Sequence, residues 1–215
     1  MSGVIEHGGN ITNASRSYGI PVADWQDLST GISPWRWPVP TIPSKIWGQL
    51  PDTSALLQAA QTYYQVDCKH IVATAGSQQA IRFIPSALPQ STVAIPLLGY
   101  QEHRYSWQLA GHTVVNYQNF DELQALLTER RAQHAVVINP NNPTTDVFSK
   151  ESLLQLLSGL GKQRLLLVDE AFADVDSSQS LLPYSHLQGL IVLRSVGKFF
   201  GLAGIRLGFA VGTHP

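Results

Sequence analysis

The sequence predicts an α/β fold: a seven-stranded, mostly parallel sheet with helices on both faces. Three observations carry the expectation. Short apolar runs recur at residues 71–74, 92–96, 113–117, 135–139, 164–168, 190–194 and 206–212. Between the first five lie stretches with helical spacing, at 77–87, 101–110, 121–130 and 149–160. Apolar runs separated by amphipathic helices are the signature of strands buried on both faces and joined by helical crossovers. Finally, the polar residues best suited to chemistry follow directly after those runs, where open α/β sheets bind their ligands.

Residues 1–45 hold glycines at 3, 8, 9, 19 and 31 and prolines at 21, 34, 38, 40 and 43. Neither helical nor strand periodicity persists there, so this stretch reads as an arm covering a domain that occupies 46–215. On position alone, His7 reads as a residue of a loose tail. After Pro51-Asp52, a helix is expected to start near Thr53, with Leu56, Leu57, Ala60 and Tyr64 on one face. The first strand runs into Gly76-Ser77-Gln78 at the start of a helix, which serves either as an anion site or as a plain N-cap. The second leads to Tyr100 and His103. Tyr100 fits a platform for a flat ligand or a tyrosine packed at the sheet edge, and His103 fits a core histidine held by a carboxylate.

The fourth strand ends at Pro140-Asn141-Asn142-Pro143-Thr144-Thr145, a fixed turn that also offers a rigid donor to a ligand oxygen. The fifth is followed by Asp169-Glu170-Ala171-Phe172. A strand ending in Asp-Glu is also found in P-loop ATPases, but neither Gly-Lys pair here fits their phosphate loop. Gly161-Lys162 and Gly197-Lys198 lack the following Ser or Thr, and Leu156 and Val192 stand where the first glycine belongs. Asp169 therefore calls for a cationic partner, either an arginine or a protonated ligand nitrogen. Beyond the sixth strand, Lys198 sits in a glycine-rich turn. Desolvation there lowers an amine's pKa and frees it as a nucleophile, whereas a solvated loop leaves it inert.

Composition narrows the classes of partner. The 215 residues are 44% hydrophobic and 13% charged with a formal net charge of -1, which offers no basic face to nucleic acid or to a membrane surface. Cys68 is the single cysteine, so no intramolecular disulfide and no cysteine cluster for a metal is expected, in keeping with a cytoplasmic protein. The N-terminus lacks the apolar segment of a signal peptide, and the most apolar window, 190–212, carries Arg194, Lys198 and Arg206.

Together, Gly76-Ser77-Gln78, Tyr100, Asn142-Pro143-Thr144, Asp169-Glu170-Ala171-Phe172 and Ser195-Val196-Gly197-Lys198 through Arg206 resemble the large domain of the fold-type I, class I/II aminotransferases. The resemblance implies pyridoxal 5'-phosphate as cofactor, with Lys198 as the lysine that binds it covalently. It implies Asp169 as the partner of the ring nitrogen, Asn142 as the donor to the ring's phenolic oxygen and Tyr100 as the stacking ring, with His103 behind the aspartate. Gly76, Ser77, Gln78, Ser195 and Arg206 would form the phosphate cup.

Within the family, HGGN at residues 7–10, DWQDLSTGISPW at 24–35, Phe172, and LRSVGKFFGLAGIRLGF at 193–209 are similar to the threonine-phosphate decarboxylases of cobalamin biosynthesis. That group implies decarboxylation of L-threonine O-3-phosphate to (R)-1-amino-2-propanol O-2-phosphate. It also implies a cytoplasmic homodimer and a role for His7, with Asn142, in binding the phosphorylated amino acid. A histidinol-phosphate-type aminotransferase is the alternative, and a non-catalytic cofactor-binding fragment is another. Three residues depart from the pattern: Thr145 where the family has glycine, Ser33 where relatives have asparagine, and Leu50 where the aminotransferases tend to have tyrosine. The resemblance further implies a connecting helix and a small domain beyond Pro215, so the chain is expected to be incomplete.

Overall fold

The computed structural model describes residues 8–161 and 163–213. His7 lies outside them. In chain order the main elements are α1 (Ile11–Tyr18), α2 (Ser54–Tyr64), β1 (Ile71–Thr74), α3 (Ser77–Phe83), β2 (Thr92–Pro96) and α4 (Gln101–Leu109). There follow β3 (Thr113–Tyr117), α5 (Phe120–Thr128), β4 (His134–Ile138), α6 (Lys150–Leu160), β5 (Leu166–Asp169), β6 (Leu190–Ser195) and β7 (Gly208–Thr213). The strands form one sheet in the order β1-β7-β6-β5-β4-β2-β3, the expected seven-stranded arrangement.

Strand alternation splits the core between the two faces of the sheet. Val136, Leu165, Leu167 and Leu193 pack with Ile81 of α3 and Trp107 of α4. Their neighbours Ala135, Val137, Leu166, Val168 and Val192 pack on the other face with residues of α2, α5 and α6. A period of two along each strand therefore decides which helix layer every residue meets. Among the described residues, no helix is long and apolar enough to cross a membrane.

The structure corrects the sequence expectation in four places. Residues 11–18 of the arm form a helix whose ends are fixed locally: the Asn10 side chain accepts from Asn13 N, and Gly19 closes the other end in the left-handed conformation. No residue of α1 is buried, so it has no core-facing stripe to betray it. The helix expected over 77–87 breaks after Phe83, and Pro85 opens a separate 3-10 turn, as a residue lacking an N–H must at a helix start. Asp169 closes β5 rather than following it.

The last correction decides where the site forms. Arg206 precedes β7 instead of starting it, and β7 runs antiparallel to both of its neighbours. Its first residue thus lies beside the last residues of β1 and β6, with Gly208 opposite both Thr74 and Ser195. An antiparallel strand brings its beginning to the edge where parallel strands finish. Arg206 therefore reaches the carboxyl end of the sheet along with everything that follows β1, β4, β5 and β6.

Candidate active site

A cavity of about 400 Å³ opens at that carboxyl edge, lined by Gly76, Ser77, Gln78, Arg82, Tyr100, Glu102, Ile138, Asn142, Asp169, Ala171, Phe172, Lys198 and Arg206. Eight of the residues singled out from sequence meet here: Gly76, Ser77, Gln78, Tyr100, Asn142, Asp169, Lys198 and Arg206. Ser195 is buried just behind the wall, opposite Gly208 in the β6–β7 ladder.

Asp169 owes its place to strand parity. It shares a sheet face with Leu165 and Leu167, the face covered by α3 and α4, and is 3% exposed. From α4, the fully buried His103 donates from Nε2 to Asp169 Oδ2 at 2.8 Å, and Ala171 N donates to Oδ1 at 3.1 Å. Both carboxylate oxygens are thereby oriented by fixed donors, which settles His103 as a partner of Asp169. Glu170 and Arg194, one residue out of phase with Asp169 and Ser195, turn to the opposite face. There Arg194 bonds Glu170 at 3.1 Å and Asp174 at 2.7 Å, with its guanidinium 5.0 Å from the centre of the Tyr64 ring.

Lys198 lies in the turn after β6, with Nζ 5.4 Å from the centre of the Phe172 ring. Its pKa is lowered: burial disfavours the ammonium, the Asp169 carboxylate opposes that, and the Arg206 guanidinium adds to it. A half-buried amine between an aromatic face and a cation is easier to deprotonate than a solvated lysine. The arm contributes to this burial. Ser33 N donates to Lys198 O at 3.0 Å and Trp37 N to Phe200 O at 2.9 Å, so the arm lies along the lysine turn. Gly31 is required on this path, because a Cβ there would come within 2.7 Å of the Phe172 ring.

The phosphate-cup candidates assemble around α3. Gly76 precedes the helix at φ 73°, with no side-chain cap. A Cβ at Gly76 would lie 2.7 Å from an Arg206 nitrogen, so only glycine lets the guanidinium come this close to the helix start. The N–H groups of a first helical turn lack intrahelical acceptors and face outward beside that cation. Ser77 is not the N-cap that sequence left open, since Gly76 occupies that position. Instead, Gln79 Oε1 accepts from Ala75 N at 2.7 Å. Gln78 also differs from expectation: its amide donates to Glu102, and it accepts from Tyr100 OH at 2.9 Å.

The two asparagines of the 139–145 turn divide their work. Asn141 donates to Leu98 O at 2.9 Å and to Thr144 Oγ1 at 2.7 Å, fixing the turn, while Asn142 faces the cavity. Thr145, which replaces the expected glycine, adopts φ 64°. Arg82 and Glu102 were not anticipated from sequence; each reads there as an ordinary charge on a helix.

The aminotransferase class I and II family matches residues 49–215. Threonine-phosphate decarboxylase of Pseudomonas aeruginosa is 43% identical to the chain, covering 99% of it and 63% of that protein. Threonine-phosphate decarboxylase of a Sinorhizobium species is 39% identical, covering 100% of the chain and 65% of that protein. The chain thus spans somewhat less than two thirds of the length of either relative. Among solved structures, histidinol-phosphate aminotransferase from Sinorhizobium meliloti in complex with pyridoxal-5'-phosphate superimposes with a TM-score of 0.65. It is 23% identical and covers 74% of this chain and 46% of its own, a likeness of fold.

Proposed function

The chain belongs to the class I and II aminotransferases, and from that premise we propose that the protein decarboxylates L-threonine O-3-phosphate to (R)-1-amino-2-propanol O-2-phosphate in cobalamin biosynthesis. The observation that carries the reading is the meeting of Asp169, Lys198 and Arg206, from three different strand ends, in one cavity. Similarity over the whole chain to two threonine-phosphate decarboxylases supports the choice of substrate over that of a histidinol-phosphate aminotransferase.

The family's cofactor is pyridoxal 5'-phosphate, and the residues present fit it. A buried carboxylate with both oxygens oriented, an amine made less basic, and a guanidinium against a side-chain-free helix start suit a protonated ring nitrogen, an aldehyde and a phosphate respectively. Lys198 would hold the cofactor through Nζ and Asp169 would face the ring nitrogen. Asn142 would bond the phenolic oxygen and Tyr100 would lie against the ring. Gly76, Ser77, Gln78, Ser195 and Arg206 would receive the phosphate, Gln78 through its backbone N–H because its side chain is committed. Bound there, pyridoxal phosphate supplies a conjugated ring that draws off the electrons left at a substrate's α-carbon when a bond to it breaks.

The chain's own residues do the rest. Asp169, with its oxygens held by His103 and Ala171 N, presents an acceptor where a proton must stay on a nitrogen. Lys198 Nζ can take a proton from the substrate's ammonium group and deliver it to the α-carbon in place of the CO2 that has left, its lowered pKa making it the readier donor. Phe172 and the arm at 31–37 keep water from one side of the lysine. On the resemblance, His7, outside the described residues, is assigned to the substrate phosphate, and Asn142 also to the substrate. We further take residues 1–45 as an arm over a cofactor-binding domain at 46–215, and the protein as a cytoplasmic homodimer. The apolar side chains exposed at Trp35, Trp47 and Leu50 support association.

Two measurements test the proposal. The complete protein, given O-phospho-L-threonine, should release CO2 without needing a keto acid. Keto-acid-dependent transfer of the amine with no CO2 would make it an aminotransferase instead. The chain itself, incubated with pyridoxal phosphate and borohydride, should carry the reduced adduct on Lys198 by peptide mass spectrometry; an unmodified Lys198 would defeat the cofactor assignment.

A further inference from the structure

We propose that Glu102 is a positioning residue for the cofactor site, which it serves by holding Gln78 in the one orientation that pins the hydroxyl of Tyr100. The inference rests on the pyridoxal phosphate reading of the cavity and adds to it a residue with no assigned role.

Glu102 lies in the first turn of α4, only 3% exposed, although it is a carboxylate in the wall of a site proposed to receive an anion. A buried carboxylate beside a phosphate site carries an electrostatic cost, so its presence calls for a compensating role. Its Oε2 accepts from Gln78 Nε2 and from Arg82 NH2, the latter at 3.3 Å. Gln78 and Arg82 stand four residues apart on α3 and so present one face to α4. An amide that donates from its nitrogen to a carboxylate must turn its oxygen the other way, and Gln78 Oε1 accepts from Tyr100 OH at 2.9 Å.

The polarity of this chain is defined throughout. Tyr100 keeps its proton, with a pKa pushed up to about 12 by burial first and then by the Glu102 and Asp169 carboxylates. The phenol thus has a proton to donate at neutral pH, and with Gln78 Nε2 given to Glu102 it is the amide oxygen that stands at the hydroxyl. The acceptor at position 102 favours the amide turned that way. Arg82 balances the carboxylate's charge from the more exposed side. Tyr100 stands at the N-terminal boundary of α4, and Glu102 and His103 follow in its first turn, so these bonds and the His103–Asp169 bond are all anchored on one helix start.

The test is a double-mutant cycle on the complete protein, reading pyridoxal phosphate affinity by absorbance titration and the visible circular dichroism of the bound cofactor. Glu102→Met, which removes the acceptor, should weaken binding roughly tenfold and reduce the dichroism. Glu102→Gln, which retains an acceptor oxygen without the charge, should recover most of both. In a Tyr100→Phe background, where there is no hydroxyl to pin, Glu102→Met should change affinity less than about twofold. Equal losses in Glu102→Met and Glu102→Gln, an undiminished loss in the Tyr100→Phe background, or tighter binding on removing the charge would each overturn the proposal. Should Glu102→Met fail to fold, Gln78→Leu breaks the same chain at its middle and should show the same dependence on Tyr100. A parent protein that forms no Lys198 adduct overturns the cofactor reading and this inference together. A parent that forms the adduct but shows no coupling overturns this inference alone.

Discussion

Thr145 holds a β-branched side chain at φ 64°, where a Cβ crowds the backbone and glycine is the residue at ease. Its neighbours over-determine it: Thr145 N donates to Asn141 O at 2.9 Å, and Asn141 N donates to Asp146 O at the same distance. Replacing it removes strain without removing a bond, since the bonded group is the backbone N–H. Thr145→Gly should therefore stabilise the protein by about 1 kcal/mol, the balance of strain relieved over freedom gained by the unfolded chain. Urea unfolding would register this as a higher midpoint at unchanged slope, and a lower midpoint would refute it. The departure from the family pattern was visible in the sequence; the backbone angle that gives it an energetic meaning was not. Glu102 shows the reverse case. Nothing in Gln-Glu-His-Arg marks that carboxylate as buried, because its burial depends on α3 and α4 lying side by side over the same sheet face.

At the level of the elements, the last residue of β5 with the one after it, and the last two residues of β6, are pairs that serve opposite faces of the sheet. Asp169 turns toward the cavity and Ser195 to the same face behind its wall, while Glu170 and Arg194 turn away and join in an ion pair, with Asp174 as a second acceptor for the guanidinium. Burial raises the pKa of Glu170 and of Asp174, and Arg194 opposes the rise in both. Arg194→Met would leave two buried carboxylates unpaired, at a cost of about 3–5 kcal/mol near neutral pH. The sign with pH follows. Carboxylates whose folded pKa lies above the unfolded value take up protons on folding, so lowering the pH favours the folded state. The deficit of the variant should therefore shrink as pH falls from about 8 towards about 5, and a constant deficit across that range would show that lost packing, not charge, is the cause. The strands themselves were legible as apolar runs, because burial on both faces needs nothing else. The direction of β7 was not: an apolar run has the same composition whichever way it points, and that direction is what brings Arg206 to the site.

Across the whole molecule, the arm is the least regular part and yet it bonds the backbone of Lys198. Its path was readable only as an absence of periodicity, since its bonds to the lysine turn are made by backbone groups that leave no mark in composition. Beyond that contact it exposes Trp35 at 83%, and the first residues of the domain that follows expose Trp47 at 76% and Leu50 at 93%. If these belong to the proposed homodimer, sedimentation at micromolar concentration should give a mass above that of the single chain. The double substitution Trp47→Ser, Leu50→Ser should then return it toward the single-chain value. A single-chain mass for the unsubstituted protein at every concentration would remove the homodimer from the proposal.

The pairing of β1 with β7 also governs when the site can come into being. In the sheet order β1 is an outer strand whose neighbour is β7, and Thr74 meets Gly208 across a sequence gap that spans most of the chain. Contacts between such distant segments form late, because the intervening chain must be ordered first. As the polypeptide leaves the ribosome, β2, β3, β4, β5 and β6 can join as each appears, but β1 must wait with its edge open until β7 emerges. Gly76 and Ser77 wait with it. The cavity wall is thus completed in a single step, when β7 slots between β1 and β6.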